Sequence, residues 1–267
     1  MRTVIVGGVA GGMSAATRLR RLDESMEIVV IERGPFVSFA NCGLPYHVGG
    51  VIQDRDALLL QTPDSLQARF AIDVRVNTEA SSIDTEARTV LITDAITGAS
   101  STLEYDELVL SPGSRLRSTI DTGDVAAFPL RTIDEMDAII AALERVEQSG
   151  RRPRVAVVGA GFIGLEAVEN LHARGAEVTI VQASPQVLGP LDIEMTAPIL
   201  TALRDAGIDV RLSTTVDGGA GDGLILSDGT RLPADLAIVA PGVVPETALA
   251  ADAGVRLGAG GGIVVDA

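Results

Sequence analysis

Two segments of this chain repeat one pattern closely enough to fix most of its architecture. The first is TVIVGGVAGGMSAATRLRRLDESMEIVVIER, residues 3–33, and the second is RVAVVGAGFIGLEAVENLHARGAEVTIVQAS, residues 154–184. Each runs from a short β-branched stretch through a glycine turn into a helical period, and then into a second β-branched stretch. Short apolar runs without polar alternation suit strands buried on both faces, as in a parallel sheet. A glycine turn between such a strand and a helix makes the βαβ unit of a dinucleotide-binding fold. Two copies, with no shorter repeat, predict an α/β chain with two Rossmann-like dinucleotide-binding domains.

The glycines have separate duties. In Gly159-Ala-Gly161-Phe162-Ile163-Gly164 the first permits the tight turn, the second admits a pyrophosphate to the backbone, and the third lets helix and strand pack closely. The helix start adds N–H donors and the positive end of its dipole. The first loop, Gly7-Gly8-Val9-Ala10-Gly11-Gly12, has Val9 at the second glycine position, while Gly11 and Gly12 keep the turn permissive. Glu32, 20 residues past Gly12, suits a ribose-binding acid. The corresponding position in the second unit, 18 residues past Gly164, is Gln182. An amide there can bond a ribose hydroxyl but does little to repel a 2′-phosphate, and no arginine follows closely. The balance leans to NADH over NADPH. Two dinucleotide sites in one chain point to FAD in one and a nicotinamide nucleotide in the other, with hydride transfer between them.

Between and after the repeats, FAIDVRV, TVLITDAITGASSTLEY and DELVLS alternate apolar and polar residues and read as antiparallel β structure. TIDEMDAIIAALERVEQSG reads as a helix stopping at Gly150. LILSDGTRL offers an Asp-Gly hairpin turn, and DLAIVAPG and GGIVVDA read as strands. The expected domains are an FAD-binding part at 1–117, an NAD(P)-binding domain at 118–247, and an incomplete return segment at 248–267.

Composition excludes several classes. The formal net charge is −15, which disfavours nonspecific contact with nucleic acid or an anionic membrane. Any anionic ligand then needs local cations or backbone N–H groups. No window holds about 18 uninterrupted apolar residues, so no membrane span is expected. The N-terminal apolar stretch is glycine-rich and ends in an arginine cluster, unlike a signal peptide. Cys42 is the only cysteine, so there is no internal disulfide. A cytoplasmic setting fits, and with two histidines no metal site is expected.

GGVAGG, SFANCGLPYHVGG, LSPGS, GAGFIGLE and APGVVPET together closely resemble one branch of the FAD-dependent pyridine nucleotide–disulfide oxidoreductases. That branch comprises coenzyme A-disulfide reductases, NADH-dependent CoA-persulfide reductases often fused to a rhodanese domain, and related NADH oxidases. The resemblance covers the whole chain and is most specific at FANCGLPY, and LLLQTPDSLQARF with LPYHVGG lies nearer the persulfide reductases. It implies the three-layer ββα architecture of the FAD- and NAD(P)-binding domains. It also implies a further FAD-binding segment and a C-terminal interface domain, which builds a homodimer in full-length relatives; neither is expected within these 267 residues.

Classical disulfide reductases of the wider family pair two cysteines as C-x-x-x-x-C, and Cys42 has no such partner. It must cycle alone as a mixed disulfide, persulfide or sulfenic acid, with the thiolate as the competent form. A buried structural cysteine is the bland alternative. The resemblance assigns hydride transfer from NAD(P)H to FAD, and reduction of coenzyme A disulfide, CoA persulfide or polysulfide through Cys42. Ser14, Arg18, Arg21, Ser38 and Asn41 align with coenzyme A-contacting positions, and Arg69 is a further candidate. Arg18 and Arg21 also stand three apart on one helix face, whose bland reading is a solvated basic surface. FAD falls to Gly7, Gly12, Glu32, Arg33 and the Ser111-Pro112-Gly113 turn. The nicotinamide nucleotide falls to Gly159, Gly161, Phe162, Ile163, Gly164, Glu166, Gln182 and Gly242. Glu166 matches an acid near the nicotinamide in relatives; its bland role is a surface ion pair. His47 and His172 carry no expected catalytic part. The alternatives are an NADH oxidase reducing oxygen through a cysteine sulfenic acid, a ferredoxin-type reductase that needs no cysteine, and a non-catalytic nucleotide-binding fragment.

Overall fold

The computed structural model describes residues 1–266. The chain divides into two compact units, one of residues 1–40, 59–115 and the segment from Val243 onward, the other of 41–58 and 116–242. In the first unit, β1 (Arg2–Val6), α1 (Ala10–Leu22) and β2 (Glu27–Ile31) form the first repeat. A short helix, α2 (Leu44–Val48), belongs to the second unit. Then follow α3 (Pro63–Phe70), β3 (Ile72–Arg75), β4 (Thr78–Asp84), β5 (Thr89–Asp94), β6 (Ser100–Glu104) and β7 (Glu107–Leu110).

The strands β3-β2-β1-β7 form a parallel sheet, and β4-β5-β6 an antiparallel one. Alternation along each strand divides the core in two. Ile5, Ile28 and Val30 pack with Met13 and Ala16 of α1 and Leu66 of α3. Val4, Val29 and Ile31 pack with Val90 and Ile92 of the antiparallel sheet. Helices, parallel sheet and antiparallel sheet are therefore three layers, each buried Val or Ile contributing about 1.5–3 kcal/mol.

β8 (Ser114–Leu116) starts in the first unit and leads out of it, and the second unit then holds β9 (Ala126–Phe128), α4 (Ile133–Gln148), β10 (Arg154–Val158), α5 (Phe162–Arg174), β11 (Glu177–Val181), α6 (Ile193–Asp205) and β12 (Asp209–Arg211). A meander of β13 (Val216–Ala220), β14 (Gly223–Leu226) and β15 (Arg231–Pro233) precedes β16 (Leu236–Val239). The parallel sheet runs β12-β11-β10-β16-β9. Ala156, Val181 and Ala237 pack against Leu224, Leu226 and Leu232 of the meander. The Asp228-Gly229 turn joins β14 to β15 as a hairpin. The helix α4 begins at a capping box, Thr132 Oγ1 accepting from the Glu135 N–H and the Glu135 carboxylate from the Thr132 N–H. Back in the first unit lie β17 (Val243–Pro245), paired with β8, and α7 (Ala248–Asp252). No helix among the described residues is long and apolar enough to cross a membrane.

Several expectations need correction. FAIDVRV and DELVLS supply β3 and β7, which pair parallel with β2 and β1. Alternation marks a strand with unequal faces, and an edge of a parallel sheet has these too. GGIVVDA forms no strand among the described residues, only an isolated bridge at Ile263 to Leu257. The chain leaves the second unit at Gly242 rather than after residue 247. The larger difference concerns residues 41–58, expected within 1–117 but packed into the second unit. There Arg174 Nη1 donates to the Val48 carbonyl at 3.0 Å, and the Arg55 guanidinium pairs with Asp137 of α4 at 2.7 Å. Gly49 lies so close to α5 that a Cβ on it would come within 2.7–2.9 Å of Asn170 Oδ1, Cβ and backbone oxygen.

Candidate functional site

Each repeat builds the same loop from different side chains. Gly7 and Gly159 have φ of +104° and +108°, a region in which only glycine is unstrained. Their N–H groups donate to Ile31 and Val181 carbonyls at 2.9 and 2.8 Å. A Cβ on either would lie 2.0 Å from the Ser111 oxygen or 2.2 Å from the Ala240 oxygen. A Cβ on Gly12 or Gly164 would fall 1.8 or 2.0 Å from the carbonyl oxygen of Gly7 or Gly159. These four glycines therefore set the close approach of strand, turn and helix.

The residue after the first glycine is gripped at both polar groups. In the first unit the Gly8 N–H donates to Glu32 Oε2 at 2.7 Å, and its carbonyl accepts from the Ser38 N–H at 2.9 Å. In the second, the Ala160 N–H donates to Gln182 Oε1 at 2.9 Å, and its carbonyl accepts from the Leu188 N–H at 2.8 Å. Ser38 and Leu188 each stand six residues past the gripping side chain and share left-handed backbone, φ 49° and 46°. The two clamps thus repeat down to the backbone conformation of their far members.

Both loops open onto bare helix starts. Val9 before α1 and Gly161 before α5 make no side-chain cap, and neither first turn holds an acid. The early N–H donors and the dipole are left for an anion.

In the first unit a cavity of 460 Å³ lies beside this loop, lined by Gly7, Glu32, Arg33 and Pro112 of the expected FAD set. Gly12, Ser111 and Gly113 are outside its lining but shape it: Ser111 faces Gly7, and the Gly113 carbonyl accepts from the Glu246 N–H at 3.0 Å. Sequence reasoning missed Thr78–Ser81, Glu246, Ala248, Leu249 and Asp252, which with the strand ends Val6 and Ile31 complete the lining. β4 and α7 bring most of them there, and Glu246 follows β17 within APGVVPET. The glycine cradle, the bare start of α1 and the Glu32 carboxylate fit the adenosine diphosphate part of FAD.

In the second unit Phe162 and Ile163 are 64% and 40% exposed at the head of α5, and Glu166 lies one turn on with no ion pair among the described residues. Gly242, φ +92°, joins the turn after β16, its carbonyl accepting from the Arg117 N–H at 3.0 Å. His47 Nδ1 meets the Ile52 carbonyl at 2.6 Å, which makes this nitrogen the protonated one.

The expected coenzyme A residues divide between the units. Ser14, Arg18 and Arg21 lie exposed along one face of α1, and neither arginine has an ion pair among the described residues. Arg20 beside them is structural, bonding the Phe70, Ala71 and Glu24 carbonyls at 2.6–2.9 Å. Ser38 is in the first unit; Asn41 and Cys42 are in the second, exposed on a single 3₁₀ turn (Asn41–Gly43) leading into α2. The cysteine is therefore not a core residue. Arg69 lies with its guanidinium 5.3 Å from the Phe70 ring centre.

The pattern of the family described as pyridine nucleotide-disulphide oxidoreductase matches residues 1–267. A coenzyme A disulfide reductase of Staphylococcus aureus is 33% identical over 265 residues, 99% of this chain and 59% of that protein. The structure of reduced Bacillus anthracis CoADR-RHD superposes with a TM-score of 0.91 at 41% identity, covering 97% of this chain and 47% of that one. A NAD-dependent persulfide reductase from A. fulgidus gives 0.92 at 34% identity, covering 100% and 50%. The chain thus spans between about half and three-fifths of the length of these relatives.

Proposed function

The chain belongs to the pyridine nucleotide-disulphide oxidoreductase family, and on that premise we propose that it passes electrons from a nicotinamide nucleotide, through FAD, to coenzyme A disulfide, CoA persulfide or polysulfide by way of Cys42. The observation that carries this reading is the duplicated loop, clamped alike in both units and bare of acid and caps at both helix starts.

FAD, when bound, takes up a hydride from the nicotinamide and passes on two electrons. Gly7 and Gly12 would hold strand, turn and helix close enough to bring the α1 N–H groups to its pyrophosphate, and Glu32 would keep lone pairs for a ribose hydroxyl. Gly159, Gly161 and Gly164 serve NADH or NADPH in the same way, with a lean to NADH because no cation follows Gln182. Phe162 and Ile163, exposed at the head of α5, offer apolar surface to the bound nucleotide, and Glu166 stands for the nicotinamide end. Arg18 and Arg21 supply the local positive charge that coenzyme A phosphates need in a chain of net charge −15.

At Cys42 the thiolate attacks one sulfur of the coenzyme A disulfide. The S–S bond breaks, a Cys42–coenzyme A mixed disulfide forms, and one coenzyme A leaves as thiolate. Two electrons from NAD(P)H and a proton then return the Cys42 thiolate and release the second coenzyme A as thiol. With a persulfide or polysulfide, Cys42 takes the outer sulfur by the same displacement.

The test is anaerobic NADH titration of the purified chain with FAD, followed by visible absorbance, and repeated with Cys42→Ser. The expected result is bleaching in both proteins, with colour returned by coenzyme A disulfide only when Cys42 is present. Return of colour in Cys42→Ser removes the cysteine from the path, as a ferredoxin-type reductase requires. Return with oxygen alone makes the chain an oxidase. Failure to retain FAD leaves a nucleotide-binding fragment.

A further inference from the structure

The ribose-recognising position of the second unit is occupied by an amide that the protein itself has already used. Gln182 Oε1 accepts from the Ala160 N–H at 2.9 Å. Its Nε2 donates to Ser184 Oγ at 2.5 Å and to the Gln186 carbonyl at 3.2 Å, and Ser184 Oγ donates to the same carbonyl at 2.8 Å. The amide's orientation is forced, since the Ala160 N–H can only donate and the Gln186 carbonyl can only accept. Both amide donors are engaged, and one oxygen lone pair remains.

Glu32 grips Gly8 from the matching place in the first unit and sends its other oxygen to the Gly34 N–H at 2.7 Å. The grip on the loop is therefore common to both units, while the negative charge is present only in the first. A carboxylate at this position favours a free 2′-hydroxyl, and an arginine favours a 2′-phosphate. Residues 182–192 include neither lysine nor arginine. The cation that strand pairing brings alongside, Arg211, opposite Val181, is bonded to Asp209 at 2.8 Å.

We propose that Gln182 is a positioning residue, a neutral clamp on Ala160, and that the second nucleotide site consequently takes NADH and NADPH with little discrimination. This rests on the reading of that loop as a nicotinamide nucleotide site. With no charge of either sign at this position, the 2′-phosphate is neither expelled nor captured.

Calorimetric titration of the whole chain with NAD⁺ and NADP⁺, which undergo no transfer without a reductant, tests this. The dissociation constants are expected to agree within about tenfold, and a wider gap in either direction overturns the proposal. Gln182→Ala, which releases the Ala160 N–H, should weaken both ligands alike; a change in their ratio means that Gln182 reads the ribose directly, and the proposal fails. Gln182→Glu keeps an acceptor for Ala160, as Glu32 does for Gly8, and should raise the NADP⁺ constant at least tenfold relative to NAD⁺. An unchanged ratio in that variant also refutes it. If neither ligand binds the parent chain, the site itself is lost and the proposed function falls with it. Strong preference with tight binding removes the clamp proposal alone.

Discussion

Replacing Gly49 with alanine tests whether the cysteine-bearing segment is held by the second unit through close backbone approach. Gly49 has ordinary right-handed backbone, φ −75°, so the added methyl introduces no torsional strain and acts only through contact. It would meet Asn170 Oδ1, Cβ and backbone oxygen at 2.7, 2.8 and 2.9 Å. The amide can turn away, but the helix carbonyl cannot, and opening these gaps to ordinary contact requires α2 to move by about 0.5–0.7 Å, an overpacking that costs about 1–3 kcal/mol. The same shift stretches the 3.0 Å bond from Arg174 Nη1 to the Val48 carbonyl beyond hydrogen-bond range, adding about 1 kcal/mol. Urea unfolding should therefore show a loss of about 2–4 kcal/mol, large against a marginal total. Arg174→Met removes that bond, together with the pair to Glu147. In Gly49→Ala its effect should shrink, because the Val48 bond is already gone, giving a coupling of about 0.5–1 kcal/mol. A loss below about 0.5 kcal/mol for Gly49→Ala, or strict additivity with Arg174→Met, would refute the account.

Two further outcomes follow from charges in the second unit. The bond from Arg174 holds the Glu147 carboxyl below its ordinary 4.5. Burial pushes Asp235 up, yet bonds from the Arg154 side chain and backbone and from Arg151 leave it below 3.8. Depressed carboxyls stabilise the fold above those ordinary values and cease to do so as pH falls through the lower, folded ones. Asp235→Asn should accordingly lose stability at pH 6 and converge on the parent in acid, read as the difference in urea midpoint so that whole-chain repulsion cancels; a constant difference sinks the idea. Gly161→Asp puts an acceptor at the bare start of α5, where a Cβ meets nothing within 4 Å and φ is −80°. It should stabilise the ligand-free chain by about 0.5–1 kcal/mol as an N-cap while weakening NAD⁺ at least tenfold; unchanged NAD⁺ affinity would place the phosphates elsewhere.

The parts of this fold legible in the sequence are those where geometry leaves one residue type. Gly7 and Gly159 are demanded by positive φ, and Gly12 and Gly164 by carbonyl oxygens about 2 Å from where a Cβ would sit. Glu32 and Gln182 stand out because a strand ends there in both copies. The far half of each clamp was invisible: it is a backbone N–H, which Ser38 and Leu188 supply with quite different side chains. The packing of residues 41–58 into the second unit is hidden from the sequence for a similar reason. What binds them to α5 is a missing Cβ at Gly49 and a carbonyl at Val48, and neither leaves a hydropathy pattern. Strand direction was unreadable at β3 and β7, since alternation reports burial of faces and not the sense of the neighbour. In GGIVVDA β-branched residues promise a strand, but among the described residues they form only the bridge from Ile263 to Leu257, since propensity needs a longer pairing to become a strand.

The helix starts separate structural from ligand-facing ends without reference to any motif. Of the helices with eight or more residues, α3 and α4 begin at Thr62 and Thr132, each closing a capping box, and α6 carries Glu194 in its first turn. Acids also occupy the first turns of α3 and α4, as Asp64, and as Asp134 with Glu135. Among the described residues only α1 and α5 of these helices have neither acid nor side-chain cap, in a chain with 36 acidic residues to distribute. An N-cap contributes about 1 kcal/mol, so its omission at these two starts withholds stability that the fold takes up at the other helices. A phosphate supplies the missing acceptor, and its binding returns stability by mass action. The strongly acidic composition is thus compatible with the proposed binding of anionic dinucleotides, because acids are kept from the two helix starts whose backbone N–H groups would receive a phosphate.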